Sequence, residues 1–205
     1  MKTQILIISI FFSYFFSIAS VPGFYISDEN NKTQYVVNSL KTKLVWTGKK
    51  VIGMHTGNII VSKGTMYVEN NKIVSGDFDI DMKTITDTDL EDPKTNASLV
   101  GHLKSEDFFN IGKYPIANLK IKNVIQKGEK FLIKADLTIK GITKPLEFEA
   151  NIKISENNII ASSTILVDRT KYDIKYGSGK FFEGLGDKII YDEFELKINL
   201  YAEKK

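Results

Sequence analysis

The sequence predicts an all-β fold, an antiparallel barrel of about eight strands with one short helix inserted between two of them. Three observations predict it. Apolar and polar residues alternate with a period of two along most of the chain, as they do where one sheet face is buried and the other is wet. Short turn signals separate the alternating runs. The runs are also numerous enough to curl into a closed cylinder, which leaves no exposed strand edge.

The elements follow in chain order. Weak apolar runs lie near 43–48, 58–62 and 65–68. Phe78, Ile80 and Met82 then alternate with Asp77, Asp79 and Asp81. From 96 to 111 the period changes: Leu99, His102, Leu103 and Glu106 fall at three- and four-residue spacings, which predicts a short helix ended by Tyr114-Pro115. A run near 118–125 follows. Phe131, Ile133, Ala135, Leu137 and Ile139 form the next apolar row, and Leu146, Phe148, Ala150, Ile152 and Ile154 the one after it. A run at 159–168 precedes the last row, Phe194, Leu196, Ile198, Leu200 and Ala202. Asn70-Asn71, Lys127-Gly128, Lys140-Gly141 and Asn157-Asn158 are the turn signals, and strands joined by such short turns are antiparallel. The stretch 170–187, with Gly177, Gly179, Gly184 and Gly186, reads as a long irregular loop.

Lys2 followed by an apolar run to Phe16 and then Ser17, Ala19 and Ser20 forms an export signal, residues 1–20, cleaved after Ala19 or Ser20. The apolar run is shorter than the roughly 20 residues of a spanning helix. Residues 21–205 then make one domain with its own core. The destination is periplasmic or secreted. The chain has no cysteine, which excludes disulfides, thiolate metal sites and a cysteine nucleophile. A net charge of +3, with both signs interspersed, gives no basis for a nucleic-acid partner. N-x-S/T triplets occur at Asn31 and Asn96.

Several motifs stand in a telling order. Trp46-Thr47-Gly48 and His55-Thr56-Gly57 come first, then Asp81-Met82 and Thr84-Ile85. The segment Leu99-Val100-Gly101-His102-Leu103-Lys104-Ser105-Glu106-Asp107-Phe108-Phe109 is closed by Lys113-Tyr114-Pro115. Leu137-Thr138-Ile139-Lys140-Gly141-Ile142-Thr143-Lys144 and Asp168-Arg169-Thr170 complete the series. Together, over about 40–202, they resemble the YceI-like family of periplasmic polyisoprenoid-binding proteins. The resemblance implies a lipocalin-like eight-stranded barrel whose lumen holds an isoprenoid or other lipid tail, with no cofactor. Some members dimerise, which makes a homodimer an expectation here. Members often carry aromatic-Gly-aliphatic after the D-R-T element, where this chain has Tyr172-Asp173-Ile174. A backbone position that needs glycine is strained by aspartate.

The candidate ligand residues are the inward apolar ones: Phe78, Ile80, Met82, Phe108, Phe109, Phe131, Ile133, Leu137, Phe148, Ile152, Leu196 and Ile198. As a set they line either a filled core or an apolar channel. Small Ala135 and Ala150 among large neighbours leave space for the second. His102, Asp168 and Arg169 are the polar candidates for the cavity or its mouth. Asp168 and Arg169 are adjacent on a strand and so point to opposite faces, and an inward arginine needs a carboxylate or carbonyl partner. Asp79 and Asp81 are candidates for that role. His55 and His102, the only histidines, sit in no ligand motif and read as structural, so no metal site is expected. No G-x-S-x-G, phosphate-binding glycine loop or H-E-x-x-H occurs, and no enzymatic activity is expected. The leading function is an envelope lipid carrier with a hydrophobic small-molecule ligand. The alternatives are a stress- or assembly-related structural protein with a filled core and, behind it, a lipid-modifying enzyme using His102.

Overall fold

The structure, a computed structural model, describes residues 32–205. The expected export segment and residues 21–31, including Asn31, lie outside the described residues.

Eight antiparallel strands close a barrel. They are β2 (Lys43–Lys50), β3 (Met54–Glu69), β4 (Lys72–Asp81), β5 (Ile116–Lys127), β6 (Lys130–Ile139), β7 (Ile142–Ile154), β8 (Asn158–Asp168) and β9 (Ile190–Lys204). Each pairs with the next, and the ring is closed by β2 lying between β3 and β9 and by β3 pairing with β4. A ninth, short strand, β1 (Thr33–Val37), pairs with both β3 and β9 where β2 no longer separates them. The turn signals fall as read: Asn70-Asn71 and Lys140-Gly141 both adopt positive φ throughout, the backbone of tight two-residue hairpins. The runs at 58–62 and 65–68 are one long strand, β3, whose register against β4 shifts between Val61 and Lys63. Such a bulge bends a strand sharply enough to wrap a barrel.

The two ends of the barrel differ. Among the described residues, one end has only short turns, and its floor is packed by Tyr35, Val68, Ile73, Ile159 and Ala202, all buried. The Tyr35 hydroxyl donates to the carbonyl oxygens of Ser155 (3.0 Å) and Glu156, which ties β1 across the floor. The other end carries both long connections, 82–115 and 169–189.

The helix, α1, runs Pro93–Lys104 and not 96–111. It begins earlier because Asp92 caps it, accepting from the Thr95 N–H at 2.9 Å, and Pro93 takes a first-turn position that needs no N–H. It ends at Ser105, whose hydroxyl donates to the His102 carbonyl. Residues 105–111 are turns instead, with Asn110 at φ 46°. The long loop carries two 3-10 turns, Arg169–Tyr172 and Gly186–Lys188.

The barrel wall is uneven. β8 pairs with β9 from Asn158 to Asp168, and β6 pairs with β7 from Phe131 to Ile139. β7 and β8, in contrast, pair only where Asn151–Ile154 meets Ile159–Ser162. The first part of β7 and the last part of β8 run apart. The Ser163 hydroxyl donating to the Glu149 carbonyl at 2.6 Å is the last link before they separate.

Candidate functional site

The barrel encloses a cavity of about 250 Å³. An engineered apolar cavity of about 150 Å³ already takes up benzene, so this one has room for more than a single ring. Its wall is almost wholly aliphatic and aromatic carbon. Ile59, Val61 and Met66 come from β3, Phe78 and Ile80 from β4, Ile133 and Leu137 from β6, and Leu146, Phe148 and Ile152 from β7. Leu99, Leu103, Phe108 and Phe109 cover it from α1 and the turns behind it, and Phe194, Leu196 and Ile198 line it from β9. The charged or ionisable contributors Lys49, Lys50, His55 and Arg169 sit at the end with the long connections, while Ser162 and Ser163 line the wall where β8 leaves β7. That end is the mouth.

Why the space stays open follows from residue size and strand spacing. Ala117, Ala150 and Ala161 stand on the wall where larger side chains would meet across the lumen. On the parted side the inward residues Leu146, Phe148, Ile152, Phe194, Leu196 and Ile198 are only half-buried although they belong to the core face. An inward apolar side chain retains accessible surface when no partner fills the space before it.

Of the twelve apolar residues expected in the lumen, eleven lie on this wall: Phe78, Ile80, Met82, Phe108, Phe109, Ile133, Leu137, Phe148, Ile152, Leu196 and Ile198. Phe131 is the exception; it packs against the core without reaching the cavity. Ala135 is buried in the inward row, between Ile133 and Leu137, yet does not bound the cavity, whereas Ala150 does. Leu146 and Phe194 also line it, and their places in two alternating rows were the signal for them.

The polar candidates separate. Arg169 lies on the cavity wall and is 4% exposed. Its partners are not Asp79 or Asp81. Its guanidinium donates to the carbonyl oxygens of Ile174 (2.8 Å), Ile190 (2.9 Å) and Tyr191 (3.0 Å), and stands 3.9 Å from Asp192. Asp79 instead accepts from Asn118 and Asp81 caps the turn after β4. Burial pulls the Arg169 pKa below its ordinary value, against Asp192 and Asp168. Three carbonyl acceptors are what allow such a group to stay inside. Neighbouring Tyr172 is buried, and that burial, followed by Asp168, pushes its hydroxyl up to about 12.

Asp168 points outward, as the alternation requires. It caps the following turn by accepting from the Thr170 N–H (3.0 Å) and hydroxyl (2.6 Å), and it lies 3.7 Å from Lys180 in a surface cleft. His102 is absent from the cavity wall. Its Nε2 lies 3.1 Å from Asp107 and its ring meets Phe108 and Tyr176 edge-on. The glycosylation triplet at Asn96 is engaged: its side-chain amide donates to Asp87 and to the carbonyls of Asp87 and Leu90.

Asp173 occupies the left-handed backbone at φ 58°, ψ 33°. Its N–H meets the Arg169 and Thr170 carbonyls, and Lys140, at the tip of the β6–β7 hairpin, donates to its carbonyl at 3.1 Å.

The YceI-like domain family profile matches residues 35–202. Among curated relatives, a UPF0312 protein of Vibrio parahaemolyticus is 38% identical over 84 residues, which is 37% of this chain and 44% of the relative. Protein YceI of Escherichia coli O157:H7 is 43% identical over 51 residues, 25% of this chain and 27% of the relative. The chain thus matches less than half the length of these relatives. Two solved structures share the fold: Burkholderia cenocepacia BcnA (TM-score 0.64, 20% identity, 81% of this chain and 99% of that one) and a polyisoprenoid-binding domain from Saccharophagus degradans implicated in plant cell wall breakdown (TM-score 0.61, 14% identity, 83% and 98%).

Proposed function

The chain belongs to the YceI-like domain family, and from that premise we propose that it is an exported envelope carrier that holds an isoprenoid or similar lipid tail in its lumen. The observation that carries this reading is the apolar cavity bounded on one side by half-buried residues of β7 and β9. A flexible hydrocarbon tail gains roughly 0.8 kcal/mol for each methylene withdrawn from water, and such a wall asks for no matching polar group. The polyisoprenoid-binding domain among the structural neighbours supports the ligand class. The ligand enters at the mouth, near Lys49, Lys50 and Arg169, with the parting of β7 and β8 giving the wall room to yield. The sequence pattern of residues 1–20 supports export.

The test is native mass spectrometry of protein purified from its host under mild conditions, with mass analysis of an organic extract. A carrier shows an added mass that the extract identifies as a lipid. Ligand-free protein from every preparation, together with failure to take up added prenyl lipids, would favour the structural protein with a filled core. In the same samples the chain should begin at or near Ser20 or Val21; folded protein that retains Met1 sinks the export part of the reading.

A further inference from the structure

At the mouth of the barrel, His55, Asp87 and Asp89 come together in a way the lipid reading does not use. Their placement begins with a glycine. Residues 85–89 run along β3 as if they were a further strand: the Thr86 N–H donates to the Asn58 carbonyl (3.0 Å) and the Thr88 N–H to the Thr56 carbonyl (2.9 Å). The Trp46 indole N–H donates to the Thr86 carbonyl at 2.9 Å. That carbonyl lies over Gly57, where any Cβ would stand 1.8 Å from it. The segment is therefore pinned on both sides, and His55, two residues before Gly57, is held against the two aspartates that follow Thr86.

One ligand-binding atom from each residue lies within 4.8 Å of the other two. His55 Nδ1 is 3.0 Å from Asp89 Oδ2, and Asp89 Oδ1 accepts from the Thr56 N–H. Asp87 is 7% exposed. Its Oδ1 accepts from the Leu90 N–H (2.9 Å) and the Asn96 amide (3.1 Å). Its Oδ2 is buried and meets no hydrogen-bond donor among the described residues. A buried carboxylate oxygen without a partner is costly and rare, so something outside the chain's own donors answers it.

We propose that His55, Asp87 and Asp89 bind one divalent first-row transition cation, with zinc as the reference ion. One imidazole nitrogen and two carboxylate oxygens form a donor set such cations take readily, whereas calcium and magnesium favour oxygen alone. Metal–ligand bonds of about 2.1 Å put tetrahedral donors roughly 3.4 Å apart. The His55–Asp89 pair is already near that spacing, and a small rotation brings in the third group. The rival occupant is a proton shared between the two aspartates. Uptake of Zn²⁺ by the parent separates the two occupants.

The experiment titrates Zn²⁺ into the purified full chain, first stripped with a chelator, by calorimetry and by thermal melting. The parent should bind one Zn²⁺ and melt at higher temperature with it. Asp87→Asn keeps the acceptor for Leu90 and Asn96 and replaces the free oxygen by an amide. It should melt like the metal-free parent and bind Zn²⁺ more than about 100-fold more weakly, since even partners that only orient a ligand cost 10- to 100-fold. His55→Ala should lose binding equally, and His102→Ala should keep it. A parent that binds no Zn²⁺, or binds it unchanged in both Asp87→Asn and His55→Ala, overturns the proposal. The proposal is independent of the lipid in the lumen, and ligand-free protein serves as well.

Discussion

The two sides of the barrel are built differently. On the β3–β6 side, β3 with β4 and β5 with β6 pair over nearly their whole length and β4 with β5 from Gly76 to Asp81, and Ile59, Val61, Phe78, Ile121, Ile133 and Leu137 are all buried. On the β7–β9 side, β7 and β8 stay paired only near the floor, and Leu146, Phe148, Ile152, Leu196 and Ile198 keep part of their surface accessible. All of these residues are apolar at every second position, so the alternation is the same on both sides. The difference lies in pairing. Where ladders are complete, neighbouring rows interdigitate to interior density. Where two strands part, the same kind of row faces a space. Both sides bound the cavity, but the wall is closely packed on one side and keeps accessible surface on the other.

If that division holds, the largest effect comes from the group that ties the parted side together at the mouth. Arg169 links the end of β8 to the start of β9 through the Ile190 and Tyr191 carbonyls and fastens the loop through Ile174. Arg169→Ala leaves three carbonyls and Asp192 without their cation, for a loss of about 3–5 kcal/mol in equilibrium unfolding. A loss below about 1 kcal/mol would mean that the ladder between β8 and β9 suffices without it.

Next is a direct comparison of the two sides. Ile133→Ala, at a residue that touches the cavity but is only 2% exposed, should cost about 2–5 kcal/mol by leaving a void beside close-packed neighbours. Leu196→Ala removes as many carbons from a half-buried residue already facing the cavity. Its cost should fall toward the transfer of those carbons alone, about 2 kcal/mol. Equal losses measured by denaturant titration would erase the distinction between the sides.

Overpacking probes the same distinction from the opposite direction. Ala135 is buried away from the cavity and Ala150 stands on its wall. Ala135→Trp should destabilise by about 1–3 kcal/mol, while Ala150→Trp, with space before it, should lose less. Uptake of a prenyl lipid should show the reverse order, with Ala150→Trp blocked. A severe stability loss in Ala150→Trp in lipid-free protein would mean that the lumen is filled.

How much of this was legible in the sequence depends on how local the cause is. The rows of β6 and β9 could be read because each residue's face follows from its position in a strand. The tight turns could be read because asparagine and glycine accept positive φ. The helix was displaced because Leu99 and Leu103 mark its buried side, whereas its limits are set by Asp92-Pro93 and Ser105, signals outside the apolar period. β1 is too short to show a period, and it depends on the late end of β9 for a partner. The separation of β7 from β8, the carbonyls around Arg169 and the approach of Asp87 to His55 all join residues distant in the chain. The Trp46 indole and the space over Gly57 determine where the segment 85–89 lies.

The smallest effect is expected at the upper rim of the parted wall, where Lys140 reaches from the β6–β7 hairpin to the carbonyl of Asp173 behind β8. Asp173 holds φ 58°, a conformation that costs an ordinary L-residue roughly 1–2 kcal/mol and that aspartate and asparagine tolerate better than most. The carbonyl that Lys140 contacts belongs to the backbone, and so does the N–H that returns to Arg169. Both survive substitution. Only the exposed pairing of the Asp173 carboxylate with Lys175, at 2.7 Å, depends on the side chain, and an exposed pair of this kind contributes little. Asp173→Gly should therefore relieve the strain and raise stability by no more than about 1 kcal/mol, because glycine also gives the unfolded chain more freedom to lose. Asp173→Val should lower it by about 1–2 kcal/mol, since a β-branched residue is poorly suited to this region. Thermal melts of the two variants beside the parent measure both signs. If valine were tolerated as well as glycine, the turn after β8 would be free to rearrange, and the rim of the opening would not be the fixed frame drawn by Lys140 and Asp173.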